Sequence, residues 1–148
     1  MKKSIILTAA LAAAMTLAAC HEEEKKAIEF GNLPAAAQTF VQTHFADKQI
    51  SIIYHDTEVA DKDYEVIFSD GANIDFTKQG DWDEVEDRDA DGVPTAIIPA
   101  AINEYVASHH AGQYVVQIGK DGKKYEVELN STVEMVFDRS GAFLRYDD

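Results

Sequence analysis

The chain has 148 residues, of which 27 are Asp or Glu and 13 are Lys or Arg, giving a formal charge of -14. That balance excludes a nucleic-acid-binding face, which phosphates require to be basic, while a hydrophobic fraction of 46% supplies a globular core and argues against disorder. A single cysteine rules out a disulfide framework and a Cys-based metal centre.

Residues 1–19, with Lys2 and Lys3 ahead of the apolar run Ile5 to Leu17, have the layout of an export signal. The run is too short to span a bilayer. It ends in Leu17-Ala18-Ala19-Cys20, which resembles the lipobox of bacterial lipoproteins and so implies cleavage before Cys20 and lipidation of its thiol. Loss of residues 1–19 leaves 11 basic against 27 acidic residues, a charge of -16. Anionic headgroups repel such a body, so its only expected hold on a membrane is the lipid. Residues 20–29 are read as the lipidated Cys and a polar tether, whose acidic run resembles outer-membrane sorting signals. The expected location is the cell envelope, at the outer membrane, facing the periplasm or the cell surface.

The remainder contains an internal similarity. Residues 33–45 (LPAAAQTFVQTHF) lie over residues 98–110 (IPAAINEYVASHH) at an offset of 65, and residues 63–82 lie over residues 124–143 at an offset of 61. The first pairing matches Pro34 with Pro99 and His44 with His109. The second matches Tyr64 with Tyr125, Phe76 with Phe137 and Gly80 with Gly141. Two copies follow, at 30–86 and 93–148, with an acidic connector at 87–92.

Each copy opens with an amphipathic helix: Leu33, Ala37, Phe40, Val41 and His44 in one, and Ile98, Ala101, Ile102, Tyr105 and His109 in the other, recur at three- and four-residue spacing. Strands follow, predicted near 50–54, 64–68, 73–77 and 82–85, then 115–118, 124–129, 133–137 and 143–146. The alternation of Tyr125, Val127 and Leu129 with Glu126 and Glu128 marks a half-buried antiparallel strand. Asp70-Gly71, Gly80, Asp121-Gly122 and Gly141 supply the turns, with a type I′ turn expected at Asp70-Gly71. The expected fold is therefore α+β, two tandem helix-plus-antiparallel-strand repeats forming one roughly eight-stranded sheet with helices packed on one face.

These pieces together carry a resemblance. The lipobox, Leu33-Pro34 with Phe40 and His44-Phe45, YEVIFSDG at 64–71 with Gly80 and Trp82, Pro99 with Tyr105-Val106, and YEVEL at 125–129 with Phe137 and Gly141 resemble the PepSY-like, beta-lactamase-inhibitor-like family of exported bacterial proteins. The resemblance spans residues 30–148. It implies tandem α/β repeats joined in one antiparallel sheet, and a non-catalytic binding or inhibitory role toward a protein or peptide partner in the envelope. Inhibitors of similar architecture insert a hairpin loop carrying an Asp into an enzyme cleft, which points to Asp70 and Gly71 as partner-binding residues. Trp82, with Phe143 as its counterpart, is a second candidate, because aromatic anchors dominate interfaces; the competing reading is a core aromatic closing the sheet under the helix.

One motif belongs to a different chemistry. In DRDADG (87–92), Asp87, Asp89, Asp91 and Gly92 match positions one, three, five and six of a calcium loop. Position twelve, where such a loop needs a bidentate Glu, is Ile98, and Pro94 removes an N–H at position eight. Cofactors are therefore expected to be none, with calcium at Asp87, Asp89 and Asp91 as the alternative. His44 and His109 fit helix C-termini better than a zinc site. There is no nucleophile elbow or phosphate loop, so the expectation is a non-enzyme, with a calcium-dependent structural or adhesion module and an uncharacterised hydrolase as the rivals.

Overall fold

A computed structural model describes residues 25–56 and 63–147; Cys20, the export signal and the first part of the tether lie outside them. Nine strands form one sheet, each hydrogen-bonded to the next in chain order and every pairing antiparallel. They are β1 (Lys26–Ala27), β2 (Ile50–His55), β3 (Tyr64–Phe68), β4 (Asn73–Phe76), β5 (Trp82–Glu86), β6 (Val115–Asp121), β7 (Lys124–Leu129), β8 (Glu134–Asp138) and β9 (Phe143–Asp147). The helices are α1 (Ala35–His44), ahead of β2, and α2 (Ala100–His109), between β5 and β6. The α+β expectation with helices on one sheet face holds. The strand count is one higher, because β1 arises inside the stretch read as a tether and pairs Lys26 with His55 and Ala27 with Tyr54.

The register lines up side chains in rows across the sheet. One row on the helix side runs Ile53, Val66, Ile74, Val85, Ile118, Val127 and Met135, each 3% exposed or less. Burial of such a side chain stabilises by about 1.5–3 kcal/mol before entropy is counted, so this row anchors the sheet to the helices and forbids a one-residue slip. Above it, Phe40 of α1 meets Phe76 edge-on at 5.6 Å, and Tyr105 of α2 meets Phe137 edge-on at 5.4 Å. These four residues are pairs at the two sequence offsets.

The helices start alike for the same physical reason. Pro34 and Pro99 stand at the N-caps in extended conformation (ψ 144° and 136°), where a missing N–H costs no intrahelical bond. One turn in, the Gln38 amide donates to the Leu33 carbonyl and the Asn103 amide to the Ile98 carbonyl. The helices then press on the turns of the sheet. A Cβ at Gly80 would lie 2.8 Å from Cβ of Pro34, and one at Gly141 would lie 2.8 Å from Cβ of Ala101.

The hairpin at Asp70-Gly71 differs from the expected type I′ turn. Phe68 O accepts from Gly71 N, Phe68 N donates to Ala72 O, and only Gly71 has a positive φ. This is a type I turn followed by a left-handed residue, the geometry of three-residue hairpin loops. The same bonding recurs at 77–81, 129–133 and 138–142. At 129–133 the left-handed position is held by Thr132 (φ 67°), which stands over Gly71 at the offset of 61.

Candidate functional site

Two places on the protein collect unusual chemistry. The first lies at one end of the sheet, where the loop after α1, the β3–β4 hairpin and the acidic connector meet. Lys48 Nζ stands 2.6 Å from Asp70 Oδ2, 2.9 Å from Asp87 Oδ2 and 2.8 Å from Asp89 Oδ2. The other oxygen of each carboxylate is held by its own loop: Asp70 Oδ1 accepts from Ala72 N, Asp87 Oδ1 from Asp89 N, and Asp89 Oδ1 from both Asp91 N and Gly92 N. These are the short local bonds that Asp favours in turns. The two sequence candidates, the hairpin Asp and the calcium-like loop, thus converge on one lysine.

Burial separates the three acids. The Asp87 side chain is only 3% exposed, against 43% for Asp70 and for Asp89. Burial pushes the Asp87 carboxyl above its ordinary pKa, partly offset by Lys48 and the Asp89 N–H. The Lys48 hydrogen bond holds Asp70 and Asp89 below theirs. Burial pulls on the Lys48 ammonium in the direction of deprotonation, but the bonds to Asp70, Asp89 and Asp87 together raise its pKa above the usual lysine value. Lys48, Asp70 and Asp89 are thereby each held in the charged form, while burial works against the charge on Asp87.

The fit to calcium is poor. Asp91, the third predicted ligand, is exposed and takes no part beyond its backbone N–H. Ile98, at the position of the bidentate Glu, is buried in the core, and calcium takes six to eight oxygens. Among the described residues no three His, Cys, Asp or Glu side chains form a vacant metal-binding set; where Asp70, Asp87 and Asp89 converge, an ammonium stands between them. The loop is also tightly seated, since a Cβ on Gly92 (φ 66°) would lie 2.4 Å from Val115 O.

The second place is the sheet face opposite the helices. Its rows run Glu65, Asp75, Glu84, Gly119, Glu126, Val136 and Arg145, and beside them Ile67, Asn73, Glu86, Gln117, Glu128, Glu134 and Asp147. These two rows carry eight acids and one base, Arg145 beside Asp147; Arg88 reaches in to bond Glu86 and both oxygens of Glu128, Lys25 bonds Glu65, and Lys124 with Asp121 and Asp138 continues the face at one edge. The bidentate Arg88 lowers the Glu128 pKa. A pocket of about 150 Å³ opens over Gly119, lined by Glu84, Gln117, Glu126, Glu128, Glu134 and Asp147 with Val127 and Met135 below.

Gly119 is not required by the backbone. Its φ is not positive, and a Cβ there would meet nothing nearer than Glu84 Cγ at 3.7 Å, an ordinary contact. A glycine inside a strand costs about 0.5–1 kcal/mol relative to alanine, and its effect here is to leave a hole in an acidic surface.

Other predicted residues fall in place differently. Gly71, at the hairpin tip, has open space around it, but Asp70 turns back onto Lys48. Trp82 packs as a core-edge aromatic, 6.4 Å from Phe40 and 6.4 Å from Tyr125, with Lys120 Nζ 3.6 Å above its ring and donating to its carbonyl. His109 stacks on Tyr105 at 4.1 Å, its Nδ1 within 3.0 Å of the Tyr105 carbonyl. Lys48 and Gly119 were not anticipated. A signal for Lys48 exists in the internal similarity: at the offset of 65 it stands over Gln113, at the offset of 61 Asp70 stands over Ser131, and Ser131 hydrogen-bonds Gln113. Where Gln113 and Ser131 make a neutral contact, Lys48 and Asp70 make a charged one beside the acidic connector.

Comparison with known proteins follows the same lines. The family described as "Putative beta-lactamase-inhibitor-like, PepSY-like" matches residues 62–145. A periplasmic protein of Bacteroides thetaiotaomicron described as calcium-regulated is 36% identical, with a TM-score of 0.79 over 84% of this chain and 97% of its own. A periplasmic protein of Bacteroides vulgatus is 35% identical, with a TM-score of 0.79 over 86% of this chain and 99% of its own. Another from the same species, of unknown function, is 29% identical with a TM-score of 0.76 over 84% and 99%. A comparison with curated proteins finds no match. Among the described residues no helix is long and apolar enough to cross a membrane. The chain belongs to the PepSY-like, beta-lactamase-inhibitor-like family.

Proposed function

We propose that this protein is a non-catalytic envelope module that holds a protein or peptide partner against the open acidic face of its sheet, the chain being anchored by a lipid on Cys20. The observation that carries the reading is that face: two rows holding eight acids and a single base, uncovered by either helix, with the pocket over Gly119 in its middle. Such a surface attracts a basic partner from a distance and orients it on approach. The side chains around the pocket offer carboxylates and an amide, groups that pair with the ammonium and guanidinium groups of a basic partner. The family's inhibitor-like description and the periplasmic relatives support the same direction.

The reading predicts where a partner is captured. A photo-crosslinking residue at Gln117, on the open face, traps the partner in intact envelopes; the same residue at Thr39, on the exposed side of α1, does not. Equal capture from both positions, or capture from Thr39 alone, would overturn it. The inhibitor form is checked separately with a panel of envelope lactamases and peptidases, whose rates fall in the presence of the protein if the partner is an enzyme. One relative is described as calcium-regulated; because Asp91 and Ile98 do not fit a calcium loop here, the proposed function contains no calcium step.

A further inference from the structure

We infer that Lys48 is the resident cation of the Asp70, Asp87 and Asp89 seat, and that this chain keeps the seat closed without calcium. An ammonium has three protons to donate on a fixed tripod, and here three carboxylate oxygens from three separate loop positions meet it at 2.6, 2.9 and 2.8 Å. These are short charge-assisted N–H to O bonds, whereas calcium would demand several more oxygens than three. The acceptor count matches the donor count. The remaining oxygens are turned outward onto backbone N–H groups of Ala72, Asp89, Asp91 and Gly92, so the seat offers a cation three oxygens, and a calcium ion placed there would take the rest of its shell from water and be held weakly.

The consequence is regulatory. A loop that spells half a calcium site ties the β3–β4 hairpin and the connector to the loop after α1 through a cation that the chain itself supplies. Because the ammonium is tethered, no change in envelope calcium opens or closes the joint. This is independent of what binds the open face, and its test does not involve a partner.

The experiment uses the whole mature chain, with melting temperature and calorimetric heat measured on adding calcium chloride, and magnesium chloride as the control. Wild-type protein shows neither a heat nor a shift at about 10 mM calcium, a concentration that saturates weak extracellular sites. Lys48→Gln removes the charge and leaves three acids facing one another; its melting temperature rises by roughly 5 °C with calcium and much less with magnesium, from mass action on a millimolar site. Should Lys48→Gln be poorly folded, Lys48→Met tested the same way replaces it. Calcium stabilisation of the wild type would overturn the inference, because the metal would then displace the lysine. So would two neutral variants as indifferent to calcium as the wild type, since the ammonium would not then be standing in a cation's place.

Discussion

Replacing Lys48 with Met isolates what the ammonium contributes to the fold. Methionine keeps the unbranched apolar stem, which is largely covered (17% exposed), and drops the terminal ammonium, so packing along the stem changes little. What changes is that Asp87, 3% exposed, loses its ammonium partner among the described residues and keeps the Asp89 N–H. Removing one member of a buried pair costs about 3–5 kcal/mol; since Asp70 and Asp89 are partly in water and screened, the lower end, about 3 kcal/mol, is the expected loss. For a domain of this size that is a fall of roughly 10 °C in melting temperature. The assay is urea unfolding at neutral pH, run as a cycle with Asp87→Asn. Asparagine removes the buried charge while still accepting from Asp89 N, so Lys48→Met made on top of it costs less by about 2 kcal/mol than it does alone. A Lys48→Met loss below about 0.5 kcal/mol, or strict additivity of the two changes, would show that Asp87 does not depend on this lysine.

The same cluster sets a pH dependence. Asp70 and Asp89 have lowered pKa values, so their stabilisation is present above the ordinary carboxylate value of about 4 and is lost as pH falls through their folded values; Asp87, raised by burial, opposes them, losing its contribution as pH rises. Protonating Asp70 and Asp89 removes their bonds to the Lys48 ammonium, so the gap between wild type and Lys48→Met in urea narrows below about pH 4. Lys48, being raised, keeps its share up to about pH 10 and loses it above that. Gly80→Ala and Gly141→Ala each force a Cβ to 2.8 Å from a helix atom at φ 88° and 84°, so each lowers stability by about 2 kcal/mol in urea. The larger loss is expected at Gly80, whose added Cβ also meets the Ala37 backbone N at 3.0 Å, and a neutral result at either site would contradict the close helix approach. Thr132→Gly relieves a β-branched residue at φ 67° and stabilises by about 0.5–1 kcal/mol, read as a higher urea midpoint. Gly119→Val fills the open-face pocket with a good strand former and leaves the fold as stable or about 0.5 kcal/mol more so, while partner capture through Gln117 is lost; retained capture would mean that charge alone, and not the pocket, holds the partner.

What the chain order alone determined is the set of elements and their faces. Pro34 and Pro99 ahead of apolar stripes specify two helices, and alternation in β3 and β7 specifies which side chains go under them, because both patterns are local and periodic. The left-handed turn at Thr132 was not among the turns expected from the sequence, because no glycine marks it, although the offset of 61 sets Thr132 over Gly71. The two-residue strand β1 escaped, since Lys26 and Ala27 have no strand preference and are extended only through pairing with His55 and Tyr54. The fate of Asp87, Asp89 and Asp91 was decided by tertiary structure. Lys48 lies 22 residues from Asp70 and 41 from Asp89, and the segments carrying them meet only because the sheet stacks β3 and β4 beside β5 and brings the connector back over the loop after α1. A calcium motif is a statement about spacing along one loop, whereas what fills the space between its carboxylates is settled by whichever charge the fold brings nearest. Here that charge is an ammonium.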